Sequence, residues 1–153
     1  MELITSLRKT VVRLRSNSRY EWGHMGFCNC GHLAQTLTDR SPKEIHQSAM
    51  VREGDWLDQV REYCPTSGLL IDDVIGELIA AGLTTADIGN LERLRDPKVL
   101  ERIPDRTHLI RNNRDDLILY LETWGDLLES ESRKRAPLLL KKLHKSGSQK
   151  PVQ

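Results

Sequence analysis

The residue types that could do chemistry in this chain are concentrated in one short segment. Residues 22–32 read Trp-Gly-His-Met-Gly-Phe-Cys-Asn-Cys-Gly-His and hold two of the three cysteines and two of the five histidines. Its glycines permit a tight loop, and the residues that follow favour a helix from about Phe27 or Cys28 to Thr38. Because a helix N-terminus presents free N–H groups and a positive dipole end, it stabilises a thiolate. We therefore expect a Cys/His site over residues 24–32, with Cys28 at the start of a helix.

The first hypothesis for this segment is a transition-metal site, with zinc as the expected ion. Thiolates and imidazoles are the ligands that zinc prefers, and four of them hold it tetrahedrally. A single Cys-x-Cys does not match the spacing of a zinc finger, so the site would be built by the loop. The predicted ligands are His24, Cys28, Cys30, His32 and Cys64, with His46 as the alternative to Cys64.

The second hypothesis is nucleophilic catalysis by Cys28 with His32 as its partner. In a helix these two residues are four apart and share one face. Cys30 points nearly opposite, in line with Leu37, so it is predicted to lie in the core. If the helix begins only after Gly31, this separation fails and both cysteines face a common point.

Gly26, Cys28 and the apolar positions behind them locally resemble the nucleophile helix of transglutaminase-like and papain-like thiol enzymes. In those folds the catalytic histidine comes from a downstream β-sheet. No segment of this chain shows the period-two alternation of a strand, so the resemblance stays local and no family is assigned. Pairing of Cys28 with His32 or His46 would still lower the pKa of the thiol.

The third hypothesis is that the segment carries no chemistry. Free cysteine is among the most buried residue types, and histidine is often a hydrogen-bonded structural residue. Trp22, Met25 and Phe27 would then close one end of a helical core.

Charge is distributed unevenly along the chain. Residues 1–19 hold five Lys/Arg and one acid, residues 20–132 hold eleven Lys/Arg and twenty-one acids, and residues 133–153 hold seven Lys/Arg and no acid. The basic ends either offset the acidic body within the molecule or serve as a handle for a partner. A protein partner bound by these ends is an alternative function, whereas nucleic acid is disfavoured because the body repels phosphate.

Apolar residues recur at helical spacing through most of the chain, as in the stripe of Ile4, Leu7 and Val11. Ser41-Pro42-Lys43-Glu44 is a helix start with a capping box. We expect an all-α domain of about seven helices over residues 1–132. A basic, partly disordered tail over residues 133–153 follows, in which Leu138–Leu140 adds at most a short helical turn.

Three cysteines without a signal peptide favour the cytoplasm. No apolar stretch is long enough to span a bilayer.

Asp73 and Glu77 share a helix face and are read as solvated. Five arginines have no phosphate-loop context, so no site is assigned to them. They are Arg52, Arg61, Arg93, Arg95 and Arg106.

Overall fold

The computed structural model describes residues 2–105 and 108–146, and every helix or strand assigned in these ranges is an α-helix. The all-α prediction is therefore confirmed, with eight helices in the described ranges where about seven were expected. In chain order they are α1 (Glu2–Arg15), α2 (Asn29–Thr38), α3 (Pro42–Ala49), α4 (Trp56–Arg61), α5 (Leu70–Ala80), α6 (Thr85–Arg93), α7 (Pro97–Leu100) and α8 (Arg114–Ser146).

Helix starts follow from local capping chemistry. The Ser41 hydroxyl accepts the Glu44 N–H at 3.2 Å, and the Glu44 carboxylate accepts the Ser41 N–H at 2.7 Å. Pro42 occupies the first helical position, where a missing N–H costs nothing. Helices α4 and α6 begin with the same reciprocal pair of bonds. The predicted start of α3 is confirmed.

Helix α2 occupies the middle of the molecule, in contact with α1, α3, α5 and α6. Its inward side chains Cys30, Leu33 and Ala34 are at most 1% exposed, which confirms the predicted burial of Cys30. Helix α1 packs against both α2 and α8, and α4 packs against α6. The loop before α2 is therefore anchored on the best-packed element of the fold.

The last helix runs beyond the packed body. Helix α8 continues to Ser146, but its buried residues end at Gly125. A short turn was expected around Leu138–Leu140; the structure instead has one helix throughout, with Pro137 inside it. Residues 147–153, part of the predicted disordered tail, lie outside the described residues, and the division at residue 132 stays a prediction. In the described part of the chain, no helix combines the length and apolar composition that a membrane span requires.

Candidate functional site

The loop that leads into α2 is held against α3 by a close backbone approach. A Cβ on Gly26 would lie 2.1 Å from the carbonyl oxygen of Pro42, so only glycine fits there. The Gln35 side chain donates to the Gly26 carbonyl at 2.6 Å, and the Trp56 indole donates to the Met25 carbonyl at 3.1 Å. These contacts fix the loop, and Cys28 becomes the N-cap of α2.

Both cysteines of the segment are buried, Cys28 to 2% exposure and Cys30 to 1%. The Cys30 thiol donates to the Ile88 carbonyl at 3.3 Å, while the Cys28 sulfur lies 3.9 Å from a carboxylate oxygen of Glu92. Burial, reinforced by Glu92, raises the pKa of both thiols well above the ordinary value. The expectation that the helix N-terminus favours a Cys28 thiolate is therefore wrong, because loss of hydration outweighs the dipole.

The ring nitrogens of His32 contact other groups of the protein. Its Nε2 lies 2.7 Å from the Arg19 carbonyl oxygen, and the Arg13 guanidinium contacts both its Nδ1 and its carbonyl. Burial first, and then the charge of Arg13, lowers the pKa of His32 to about 4. The catalytic assignment of Cys28 and His32 needs direct contact, and no hydrogen bond joins these two side chains in the described part of the chain.

His24 and His46 form a stacked pair at the surface of the loop, with ring centroids 4.1 Å apart. Each Nδ1 accepts a loop N–H: that of Gly26 for His24 at 3.1 Å, and that of Met25 for His46 at 3.0 Å. Burial and the neighbouring His46 lower the pKa of His24. The stack therefore fastens the loop to α3.

The predicted zinc site is wrong. Within residues 2–105 and 108–146, no group of three or more His, Cys, Asp or Glu side chains is placed to hold a metal ion. The predicted ligands are separated by their surroundings. Cys28 and Cys30 lie in the core, and Cys64 is exposed in the loop after α4. Nδ1 of His24 and Nε2 of His32 are engaged with backbone groups.

Asn29 shows what the segment does instead. Its side-chain amide donates to the carbonyls of Leu91, Glu92 and Arg111 at 3.3, 3.1 and 2.8 Å. The Tyr20 hydroxyl donates to Oδ1 of the Asn29 side chain at 2.7 Å. Asn29 thus caps the C-terminus of α6 and ties it to the start of α2 and to the loop before α8. The segment is a structural junction.

A cleft with a different character lies between α4 and α6. Asp55 before α4 pairs with Arg93 at the end of α6 at 2.6 Å, and Leu57 of α4 lies against Gly89 in the middle of α6, so the two helices run antiparallel. A Cβ on Gly89 would meet the Leu57 side chain at 2.7 Å, so the glycine lets Leu57 of α4 pack closely on α6. The volume is about 570 Å³, which suits a bound ligand. Its walls are formed by Leu57, Val60, Arg61, Tyr63, Thr85, Ala86, Gly89, Asn90, Arg93 and Arg95.

Positive charge stands at both ends of this α4–α6 cleft. Arg93 and Arg95 lie at the end of α6, and the antiparallel packing brings Arg61 toward its start. In the described part of the chain, Arg61 and Arg95 are exposed and form no ion pair, and no acidic residue lines the cleft. The cleft is therefore a cationic spot on the acidic body.

Sequence reasoning assigned no site to these arginines because they match no phosphate loop. The available signal was helical: Thr85, Ala86, Gly89, Asn90 and Arg93 share one face of α6. That face is small and polar rather than apolar, as expected of a helix side that is open to a ligand. Comparison with known proteins adds no assignment: no family model, no curated protein and no solved structure matches this chain.

Proposed function

We propose that this chain is a binding protein whose α4–α6 cleft holds an acidic segment of a protein partner. The observation that supports it most strongly is that two cleft arginines, Arg61 and Arg95, form no ion pair in the described part of the chain and that no acidic residue lines the cleft there. An acidic body would otherwise repel an acidic partner, so the cleft is where such a partner can approach. Arginine suits this role because its planar guanidinium accepts a carboxylate in two parallel hydrogen bonds.

The dimensions of the cleft favour a peptide over a single ion. Thr85 and Arg93 lie eight residues apart on α6, which corresponds to about 12 Å along the helix. Residues four apart in an extended peptide are about 13 Å apart. A peptide with carboxylates at that separation reaches both cationic ends at once, and its middle lies over the floor formed by Ala86 and Gly89.

The affinity should be moderate and sensitive to salt. Exposed ion pairs contribute about 0.2–1 kcal/mol each, since water and salt screen them. Arg93 is already ordered by Asp55, so it loses less side-chain entropy on binding than Arg61 or Arg95. The proposed complex is therefore one that forms and dissociates readily.

We also propose that the protein works in the cytoplasm. Three free cysteines support this location, two of them buried and one exposed. An oxidising compartment would act on the exposed thiol of Cys64, while a reducing one preserves it.

The test uses the full chain and a fluorescein-labelled hexapeptide with two glutamates at each end and Leu-Ala in the middle. Fluorescence anisotropy should give saturable binding that weakens with added salt. The double substitution Arg61→Gln with Arg95→Gln should lower affinity by roughly 2- to 30-fold, as expected for two exposed ion pairs. Arg102→Gln, at an exposed arginine outside the cleft, is the matched control and should have little effect.

Two outcomes would overturn the proposal. One is equal affinity for the acidic hexapeptide and for a version with lysines at both ends. The other is tighter binding of inorganic phosphate than of the acidic hexapeptide, which would assign the arginines to a small anion.

A further inference from the structure

The distal half of α8 is an unpacked helix. Residues 132–146, which we name the distal segment, lie beyond the last buried residue of α8, Gly125, and are exposed throughout. Nine large apolar side chains are exposed in the described part of the chain, and four of them are in this segment. They are Leu138, Leu139, Leu140 and Leu143, each 59–67% exposed.

The distal segment is also strongly basic. It holds six Lys/Arg and no Asp or Glu. Arg133 and Arg135 approach only Glu129 and Glu131 of their own helix, at 4.0 and 3.8 Å. In the described part of the chain, no ion pair neutralises the lysines of this segment. These lysines are Lys134, Lys141, Lys142 and Lys145.

The two basic ends of the chain therefore differ. Arg8 and Arg15 in α1 pair with Asp126 and Glu122 of α8 at 2.7 and 2.5 Å, so these N-terminal cations offset the acidic body. Among the residues that the structure describes, no arginine or lysine of the distal segment forms an ion pair with the body. The positive charge of the distal segment is therefore available to bind a partner outside the molecule.

Three of the four exposed leucines of the distal segment fall on one side of the helix, whereas Leu138 lies on the opposite side among Lys134, Lys141 and Lys145. At 100° per residue, Ala136, Leu139, Leu140 and Leu143 fall within an arc of about 100°. Cations stand on both edges of this arc. They are Arg135 and Lys142 on one edge and Arg133 on the other. This arc is turned about 80° from the direction in which the buried residues of α8 face the body. The body therefore flanks one edge of the arc, where Ala136 and Leu139 share a groove with Leu3, Ile4 and Gly82.

We infer that the distal segment binds the surface of an anionic lipid bilayer, with its leucine arc in the interface and its cations among the headgroups. A helix with an apolar arc and a basic opposite face lies in the plane of such an interface without crossing the bilayer. Mobile anionic lipids can gather around cations on both edges, and each such cation strengthens binding. This inference is independent of the α4–α6 cleft.

Other occupants fit the segment less well. Two copies would bring six positive charges against six, and the exposed parts of four leucines fall short of the about 800 Å² per partner in a stable interface. Nucleic acid would use the cations and leave the leucines in water. An acidic protein would need fixed carboxylates on both edges of the arc, whereas lipids rearrange to supply them.

The experiment is co-sedimentation of the full chain with vesicles of phosphatidylcholine alone or with 30% phosphatidylserine. We expect binding to the anionic vesicles and little to the neutral ones. Substituting Lys141, Lys142 and Lys145 by Gln should lower the partition coefficient by about 100-fold. The double substitution Leu139→Ser with Leu143→Ser should lower it by at least about tenfold.

Matched substitutions elsewhere give the controls. Lys9, Lys43 and Lys98 are exposed and can be changed to Gln together, and Leu70→Ser removes a leucine that is 53% exposed. Both controls should bind like the unmodified chain, and all variants should keep its melting temperature. Absence of binding, equal binding to both vesicle types, or unchanged binding by either distal variant would overturn the inference. So would a dimer in analytical ultracentrifugation that the Leu139→Ser, Leu143→Ser variant abolishes.

Discussion

A carboxylate oxygen of Glu92 lies 3.9 Å from the sulfur of Cys28, and each side chain is 2% exposed. Burial raises the pKa of Glu92 to about 7, and Glu92 adds to burial in raising the pKa of the Cys28 thiol. Two acidic groups in one buried site disfavour each other's ionisation. The segment with the most reactive residue types thus contributes to a core whose stability depends on pH.

Glu92→Gln should stabilise the protein at neutral pH. Because the folded pKa of Glu92 is about 7 and its unfolded pKa is near 4.5, stability is lost as pH rises through this window. Glutamine cannot ionise. The free energy of unfolding of Glu92→Gln should therefore exceed that of the unmodified chain by an amount that grows from near zero at pH 4.5 to on the order of 2–3 kcal/mol at pH 8. Urea unfolding across this range measures it, with the exposed Glu53→Gln as control. An advantage that does not change with pH would contradict the account.

His32 should give the opposite pH dependence. Its folded pKa of about 4 lies below its unfolded value near 6.5, so stability is present above pH 6.5 and lost as pH falls toward 4. In the unmodified chain, this trend and that of Glu92 oppose each other between pH 4.5 and 6.5. His32→Gln should therefore remove the loss of stability at acid pH. The loss of stability with rising pH that Glu92 causes should then remain. The same pH slope in His32→Gln and in the unmodified chain would contradict the assignment; His108→Gln is the control at an exposed histidine.

The three cysteines should differ in reactivity, but not as the sequence predicts. Cys64 is exposed, and hydrogen bonds from Thr66 lower its pKa. Cys28 and Cys30 react only when the core opens. Iodoacetamide at pH 7.5 should therefore modify Cys64 at least ~100-fold faster than either, as followed by mass spectrometry. In guanidinium all three should react at similar rates. Fast modification of Cys28 in the folded protein would restore the thiol hypothesis.

Asn29 should be among the most costly polar positions to change. Asn29→Ala leaves three buried or partly buried carbonyls without their donor, and should lower the free energy of unfolding by about 2–4 kcal/mol. Chemical denaturation measures the loss. Asn112→Ala, at an exposed asparagine, should change it by less than about 0.5 kcal/mol. A loss below about 1 kcal/mol for Asn29→Ala would show that the junction is not tied by this amide.

Local features of the fold were predictable because their signals lie within a few residues. The capping box of Ser41 and Glu44 spans one turn, and the burial of Cys30 follows from its spacing to Leu33 and Leu37. These predictions depend on helix geometry alone. The all-α prediction depends on the same periodicity, repeated along the chain.

The chemistry of the segment was not predictable, since it depends on distant residues. Glu92 is 64 positions from Cys28, and Asn29 reaches a carbonyl 82 positions away. No spacing rule within residues 22–32 indicates that these partners bury the thiol. The α4–α6 cleft was not predictable for the same reason. Arg61 and Arg93 are distant in sequence, and only the antiparallel packing of their helices brings them to one cleft.

The central claim is that the α4–α6 cleft recognises acidic residues through Arg61 and Arg95. A charge swap tests it most directly: the chain carrying Arg61→Glu and Arg95→Glu is titrated with hexapeptides that have glutamates or lysines at both ends. We expect the glutamate peptide to lose binding and the lysine peptide to gain it, with both preferences weakened by salt. The melting temperature should stay within a few degrees, since both arginines are exposed and unpaired in the described part of the chain. Retention of the glutamate peptide by this folded variant would contradict the claim.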